Sequence, residues 1–506
     1  MDYDTGDYDY TDYEYDEFTS CDGADYAYDA AIPPMCWDTR QVKDMRGIFA
    51  NQSTFNSEIN SWQTSAVTDM SGMFSNTKEF NQPFNSWRVD AVTDFGSMFQ
   101  DAAEFNQNIS SWWVDAATDF GSMFQGAAKF NLNINSWRTD SAVNMANMFN
   151  GGVFTGPSSS WKFVPTTVFN QPLDSWQVGS VKNLASIFED AAHFDQPLDS
   201  WQTGSVTDMS GALGCSNMFV TGGGNVAFPP RFNQPLDSWD TGSVVSFTVF
   251  RTDGNTGMFQ SLPAFDQPLN SWRVDSATSM VGMFGFAKSF NQPLNSWQVG
   301  SVALMDSMFA SANSFNQPLD SWQVDSVASM SYMFQQTFNF SQNVDSWQTG
   351  NVTDMYCMFR GADGFNGPIN SWQVASVTRM GVMFDRASSF NQPLNSWQVG
   401  SVNMLHFFRS ASSFNQPLNS WQVGSVTGMV AMFQAASSFN QPLNSWQVGS
   451  VTNMAAMFKE ASNFSQTLSA WATCSVPAYG SREFSTDSKL TAAQLPSTFS
   501  NPAPCV

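Results

Sequence analysis

Tryptophan recurs at a fixed interval along almost the whole chain. Trp37, Trp62, Trp87, Trp112 and Trp137 are 25 residues apart, as are Trp272, Trp297, Trp322, Trp347, Trp372 and Trp397, and again Trp421, Trp446 and Trp471. With Trp161, Trp176, Trp201 and Trp239 there are 18 tryptophans in register; 12 of their 17 intervals are 25 residues and two are 24. A chain of 506 residues would ordinarily divide into several domains. A fixed period replaces that expectation with one array in which each unit packs on its neighbours.

Counting from each Trp as zero, apolar residues fall at +2, +5, +8, +11, +12, +15, +18 and +22. In the Trp446 unit these are Val448, Val451, Met454, Met457, Phe458, Ala461, Phe464 and Leu468. Between +5 and +15 the steps are threes and fours, which predicts a short helix. Ser205-Val206-Thr207-Asp208 and Asn351-Val352-Thr353-Asp354 resemble capping boxes at its start. In "NQPLNSW" the proline ends any helix, and the following residues suit a short extended stretch. The expected fold is a repeat solenoid, leucine-rich-repeat-like, with short parallel strands plus short helices in each 25-residue coil. At ~4.8 Å per coil, about 17 coils span roughly 80 Å. Trp, Phe at +18 and Leu at +22 recur with equal regularity, which places the indoles inside rather than in an exposed sugar-binding strip. Asn at +19, as in Asn415 and Asn440, is expected to form an amide ladder bonding loop backbones.

Residues 32–474 carry the solenoid, irregular at 150–176 and 210–262. There the spacing from Trp161 to Trp176 is 15, from Trp201 to Trp239 is 38, and from Trp239 to Trp272 is 33. Two readings fit: functional loops, or intron and exon edges carried into the sequence. Before the array, residues 1–31 hold eleven acidic residues, seven of the ten tyrosines and no Lys or Arg. Such a segment buries too little apolar surface to order itself. It reads as a solubilising tail or, more sharply, as a divalent-cation-binding or tyrosine-sulfated one. Residues 475–506 are rich in Ser, Thr and Pro and suit a cap.

The net charge of −24 disfavours nucleic acid and anionic membranes as partners. No apolar run is long enough to span a bilayer, and the first residues lack the basic start and apolar core of a signal peptide. Cys21 and Cys36 lie at one end of the array and Cys474 and Cys505 at the other, making them candidate disulfides that would imply an oxidising compartment. All six cysteines, Cys215 and Cys357 included, fit equally as small unpaired hydrophobes.

The string "VT.M..MF..A..FNQPL.SW.V" resembles the roughly 25-residue repeat of BspA-like surface proteins, widespread in mycoplasma surface lipoproteins and present in gut bacteria, protists and algae. It covers about residues 35–474. The resemblance implies a curved leucine-rich-repeat-like solenoid, an extracellular or cell-surface location, and adhesion or recognition of a protein or glycan ligand that the motif does not identify. The family's lipoproteins carry a leader with a lipidated cysteine; this sequence shows neither, so its anchoring stays open.

Catalytic chemistry has few candidates. His193 and His406 occupy different offsets and have no cysteine at metal-ligand spacing. The glycines at 222–224 lack a following Lys-Ser or Lys-Thr, and no zinc-protease, CxxC, nucleophile-elbow or EF-hand pattern occurs. Asp69, Asp208 and Asp354 recur at +7, where helix-start electrostatics explain them better than paired acid–base work. The chain is therefore expected to be no enzyme, with no catalytic, cofactor or metal residue to nominate. Asn51, Asn108, Asn339, Asn351 and Asn463 begin glycosylation sequons. The leading expectation is a non-enzymatic surface or secreted recognition protein. The alternatives are a structural wall or matrix component with a cation-binding tail, and an enzyme accessory or inhibitor using the concave face.

Overall fold

The computed structural model describes residues 37–155, 162–165, 167–215, 230–251, 254–400 and 402–500. The tail 1–31, Cys21, Cys36, Cys505, Trp161 and the glycines at 222–224 lie outside the described residues.

Seventeen tryptophans, from Trp37 to Trp471, mark the coils of one continuous stack. Successive indoles lie nearly parallel, from 5.6 Å apart for Trp37–Trp62 to 6.5 Å for Trp112–Trp137. Beside them run two phenylalanine columns. Phe284 stacks on Phe290 of its own coil at 4.1 Å and on Phe309 of the next at 5.6 Å. Methionines at +8 and +11 fill the remaining space, as with Met305 and Met308, both fully buried. A single coil would expose all of these faces, so stability passes from coil to coil.

The helix expected between +5 and +15 does not form, and the reason lies in where its amides point. In the Trp62 coil, Met70, Gly72, Phe74 and Asn76 donate N–H to Asp94, Gly96, Met98 and Gln100 of the next coil, at 3.0, 2.7, 2.9 and 2.6 Å. The alternate residues Met73, Ser75 and Thr77 donate back to Met70, Gly72 and Phe74, each closing a turn. Ser71 donates to the Asp69 carboxylate at 2.9 Å, so every amide from +8 to +15 has a partner. A helix would direct these groups along its own axis; here half of them hold the neighbouring coil. The turns need left-handed backbone at +10 and +14: Gly72 and Asn76 have φ of 62° and 58°. Bulky residues adopt it too, Val382 at 63° and Phe286 at 61°, because the surrounding ladder over-determines the backbone.

Coil-to-coil pairing is parallel, but it falls at +7 rather than in "NQPLNSW". Isolated bridges link Asp44 to Asp69, Asp69 to Asp94 and onward to Arg379, with one more at Gly428–Asn453. The expected capping boxes are accordingly not helix starts. Asp208 and Asp354 accept the N–H two residues on, from Ser210 and Tyr356, both at 2.9 Å. "NQPLNSW" is instead a polar seam. Asn415 Oδ1 accepts the Asn440 N–H at 2.9 Å and Gln441 Nε2 at 3.1 Å. Ser445 Oγ donates to the Asn419 carbonyl, and Trp446 Nε1 to the Leu418 carbonyl, each at 2.9 Å.

There is no 15-residue unit. Trp137 stacks directly on Trp176 at 6.2 Å and 3°, so one coil of 39 residues carries a 14-residue insertion. Within it, β1 (Gly152–Thr155) pairs antiparallel with β2 (Lys162–Pro165). The coil starting at Trp239 carries a second hairpin, β3 (Thr248–Val249) with β4 (Thr256–Gly257). At the other end, the coil of Trp471 runs past residue 474. Met454, Ala456, Phe458 and Glu460 donate to Gly480, Arg482, Phe484 and Thr486, continuing the ladder. Phe499, on the one-turn helix α1 (Ser497–Ser500), packs edge-on against Phe484 at 4.9 Å. Among the described residues no helix is long and apolar enough to cross a membrane.

Candidate binding surface

All three long spacings open from one edge of the stack. Two of them leave after offset +14, at Gly151 and Cys215, and the third replaces offsets +9 and +10 of the Trp239 coil. This edge carries a column of +13 side chains, and under the insertions it is buried. Asn150 is 5%, Glu189 0% and Gln260 0% exposed. Glu189 ties the region together. Arg251, from the β3–β4 insertion, reaches across the intervening coil and grips it with both arms, Nη1 to Oε1 and Nη2 to Oε2 at 2.7 Å each. Asn150, at the base of the first hairpin, donates to Glu189 Oε2 at 3.3 Å. A carboxylate removed from water in this way is tolerated only with charge-assisted bonds on both oxygens.

Two glycines let the insertions lie this close. A Cβ on Gly214 would stand 2.3 Å from the Gly257 carbonyl oxygen, and one on Gly257 would stand 2.3 Å from the Gly282 carbonyl carbon. The same region holds most of the unsatisfied buried polar atoms among the described residues: Thr167 Oγ1, Thr256 Oγ1, Gln260 Nε2 and Ser261 Oγ.

Further along the +13 column, Asp385 is fully buried between Arg360 and Arg409. Arg409 bonds it through Nε and Nη2 at 2.7 Å, and Arg360 through Nε at 3.3 Å. Nearby, Arg379 lies over the Tyr356 ring at 5.2 Å. Burial pushes the Cys357 thiol up to about 11, and burial followed by the Arg409 charge lowers His406. His193 is exposed, with Nδ1 3.1 Å from the Thr167 carbonyl oxygen. The two histidines are not brought together.

The opposite edge is the polar seam. At coils Trp347 to Trp397 it forms a shallow groove of about 480 Å³ lined by Asp345, Asn370, Ser371, Gln373, Ser396 and Gln398. The five sequon asparagines are exposed. Asn351 Nδ2, however, donates to the Asp325 carbonyl at 2.7 Å, and Asn463 Oδ1 accepts Lys489 Nζ at 3.0 Å. Cys474 is disulfide-bonded, while Cys215 and Cys357 are buried thiols. Sequence reasoning missed Glu189, Asp385, Arg251 and Arg409. For Glu189 and Asp385 the available signal was a charge at +13, an offset where most coils carry uncharged residues; Arg251 lies inside an insertion and had none.

Together these features define a repeat solenoid with polar edges and insertions collected on one of them. The chain belongs to the family described as Mycoplasma protein of unknown function, DUF285, whose model matches residues 26–122, 89–167, 111–222, 162–250, 231–343, 319–406 and 402–494. No curated protein matches. Among solved structures, the plant peptide hormone receptor RGFR1 in complex with RGF2 aligns at 8% identity over 86% of this chain and 78% of that one. Its TM-score of 0.19 is too low to carry any argument about fold or function.

Proposed function

We propose that this chain is a non-enzymatic recognition protein of the BspA-like, leucine-rich-repeat-like kind, acting at the cell surface or after secretion. The solenoid is the scaffold, and the edge that carries the hairpins of the Trp137 and Trp239 coils forms the contact surface. The observation that carries this reading is the buried Glu189 carboxylate, which holds Arg251 of the β3–β4 insertion and Asn150 at the base of the first hairpin in one place. Loops held rigidly on a repeat scaffold cost little further ordering when a partner binds. The disulfide at Cys474 supports an oxidising location. The non-enzymatic reading is supported by His193, whose ring nitrogen meets a backbone carbonyl.

The test compares the full chain with a variant lacking residues 152–165, which restores the 25-residue spacing between Trp137 and Trp176. Both are screened against arrays of extracellular proteins and glycans, with near-ultraviolet circular dichroism as the check on folding. Ligands bound by the full chain and lost by the folded variant support the reading. Undiminished binding by the variant moves the site elsewhere, and calcium-dependent self-association with no ligand favours a matrix role.

A further inference from the structure

Trp113 is the one tryptophan among the described residues that stands outside the column. It is 74% exposed, while the rungs from Trp62 to Trp471 are at most 6% exposed. It occupies offset +1 on the polar seam, where ten of the described coils carry glutamine. The coils on either side carry Arg88 and Arg138 at the same offset, and all three coils carry aspartate at +3: Asp90, Asp115 and Asp140. Arg88 is held by Asp90, with Nε–Oδ1 of 3.2 Å and Nη2–Oδ2 of 3.1 Å. Arg138 lies 3.4 Å from Asp115 and 3.6 Å from Asp140. Coils in parallel register set these three side chains about 4.8 Å apart along the seam. An open indole thus lies between two arginines whose guanidinium groups are already fixed by carboxylates.

We propose that this triplet is a stacking platform for a neutral glycan. A pyranose ring presents an apolar C–H face to the indole, and its rim hydroxyls meet carboxylate acceptors and guanidinium donors on both sides. The surroundings argue against a protein partner, because the core of a protein interface is depleted of aspartate and needs more apolar area than one ring supplies. This ring is alone among Ser, Asp and Arg. Three carboxylates against two guanidiniums leave the platform net acidic, and the whole chain carries −24, which selects against sulfated or phosphorylated ligands. The site lies on a different edge from the insertions and goes beyond the function proposed above.

The experiment titrates the full chain with linear hexasaccharides of glucose, mannose, galactose and N-acetylglucosamine, followed by calorimetry and tryptophan emission. Binding of at least one is expected, with a blue shift absent from Trp113→Ala and an affinity at least about tenfold weaker in that variant, as for an aromatic anchor. Trp113→Tyr should keep part of the affinity. The variant lacking 152–165 should bind as the parent does, which separates this site from the insertion surface. The proposal is overturned if Trp113→Ala binds as tightly as the parent. It is equally overturned if none of the four sugars binds at ~10 mM, or if only a polyanion such as heparin binds.

Discussion

Replacing Trp297 and Trp112 by phenylalanine should have unequal consequences although both are buried rungs. Trp297 Nε1 donates to the Leu269 carbonyl at 2.9 Å, and that carbonyl also accepts the Trp272 N–H at 3.2 Å. Trp112 Nε1 is buried and has no partner. In the coil before Trp112, Phe84 stands where other coils have Leu, Ile or Val, with its ring 5.7 Å from Trp112 at 56°. Either substitution removes three heavy atoms from a packed column, about 3 kcal/mol counting transfer and residual cavity. At Trp297 a hydrogen bond of about 1 kcal/mol is lost as well, although the carbonyl keeps its backbone donor. At Trp112 an unsatisfied donor is removed, returning about 1–3 kcal/mol. Trp297→Phe should therefore cost ~4 kcal/mol and Trp112→Phe ~0–2 kcal/mol. Native-state hydrogen exchange reads each coil locally and suits an array whose unfolding is not two-state. The reporters are the ladder amides of Met305 and Phe309 for one variant and of Phe120 and Phe124 for the other. Equal loss of protection at the two sites would refute the claim that the indole hydrogen bond separates these rungs.

Three further outcomes follow from single contacts. Gly257→Ala forces a methyl into the Gly282 backbone and should destabilise by ~3 kcal/mol, whereas Gly300→Ala, with nothing within 4 Å, should change thermal stability by less than ~0.5 kcal/mol. Arg251→Met strands the buried Glu189 carboxylate and should cost about 3–5 kcal/mol, much of it recovered by adding Glu189→Met; denaturation of both variants checks this. Burial, with the Asp119 and Asp69 charges assisting, raises the Asp94 carboxyl above its unfolded value. Its penalty is therefore absent below the unfolded value and complete above the folded one. Asp94→Asn should stabilise by up to ~1 kcal/mol at neutral pH and lose that advantage in acid, as a stability–pH profile would show.

Much of the architecture was legible in the sequence. The tryptophan interval, the shared regularity of Phe at +18 and Leu at +22, and Asn at +19 sufficed to place the aromatic columns inside and the amide ladder between coils. The local backbone was not legible. Steps of three and four between +5 and +15 suit a helix, and they equally suit a run of turns closed every few residues, because both return a side chain to the same face. The decision rests with the N–H groups of Met70, Gly72, Phe74 and Asn76, whose acceptors lie 24 residues away in the next coil. No local pattern encodes that choice. The buried charges escaped for a related reason. Glu189 and Arg251 are 62 residues apart, and only the stacking of coils, with insertions folded back over the +13 column, brings them within 2.7 Å.

By itself, then, the sequence determined the repeat and its interior, because a periodic apolar pattern has to be buried against copies of itself. Tertiary structure alone decided that the coils are built of turns, that Trp137 stacks on Trp176 across an insertion, and that the insertions share one edge. Those features depend on which coil lies beside which, and on hydrogen bonds and ion pairs made only after the coils have stacked.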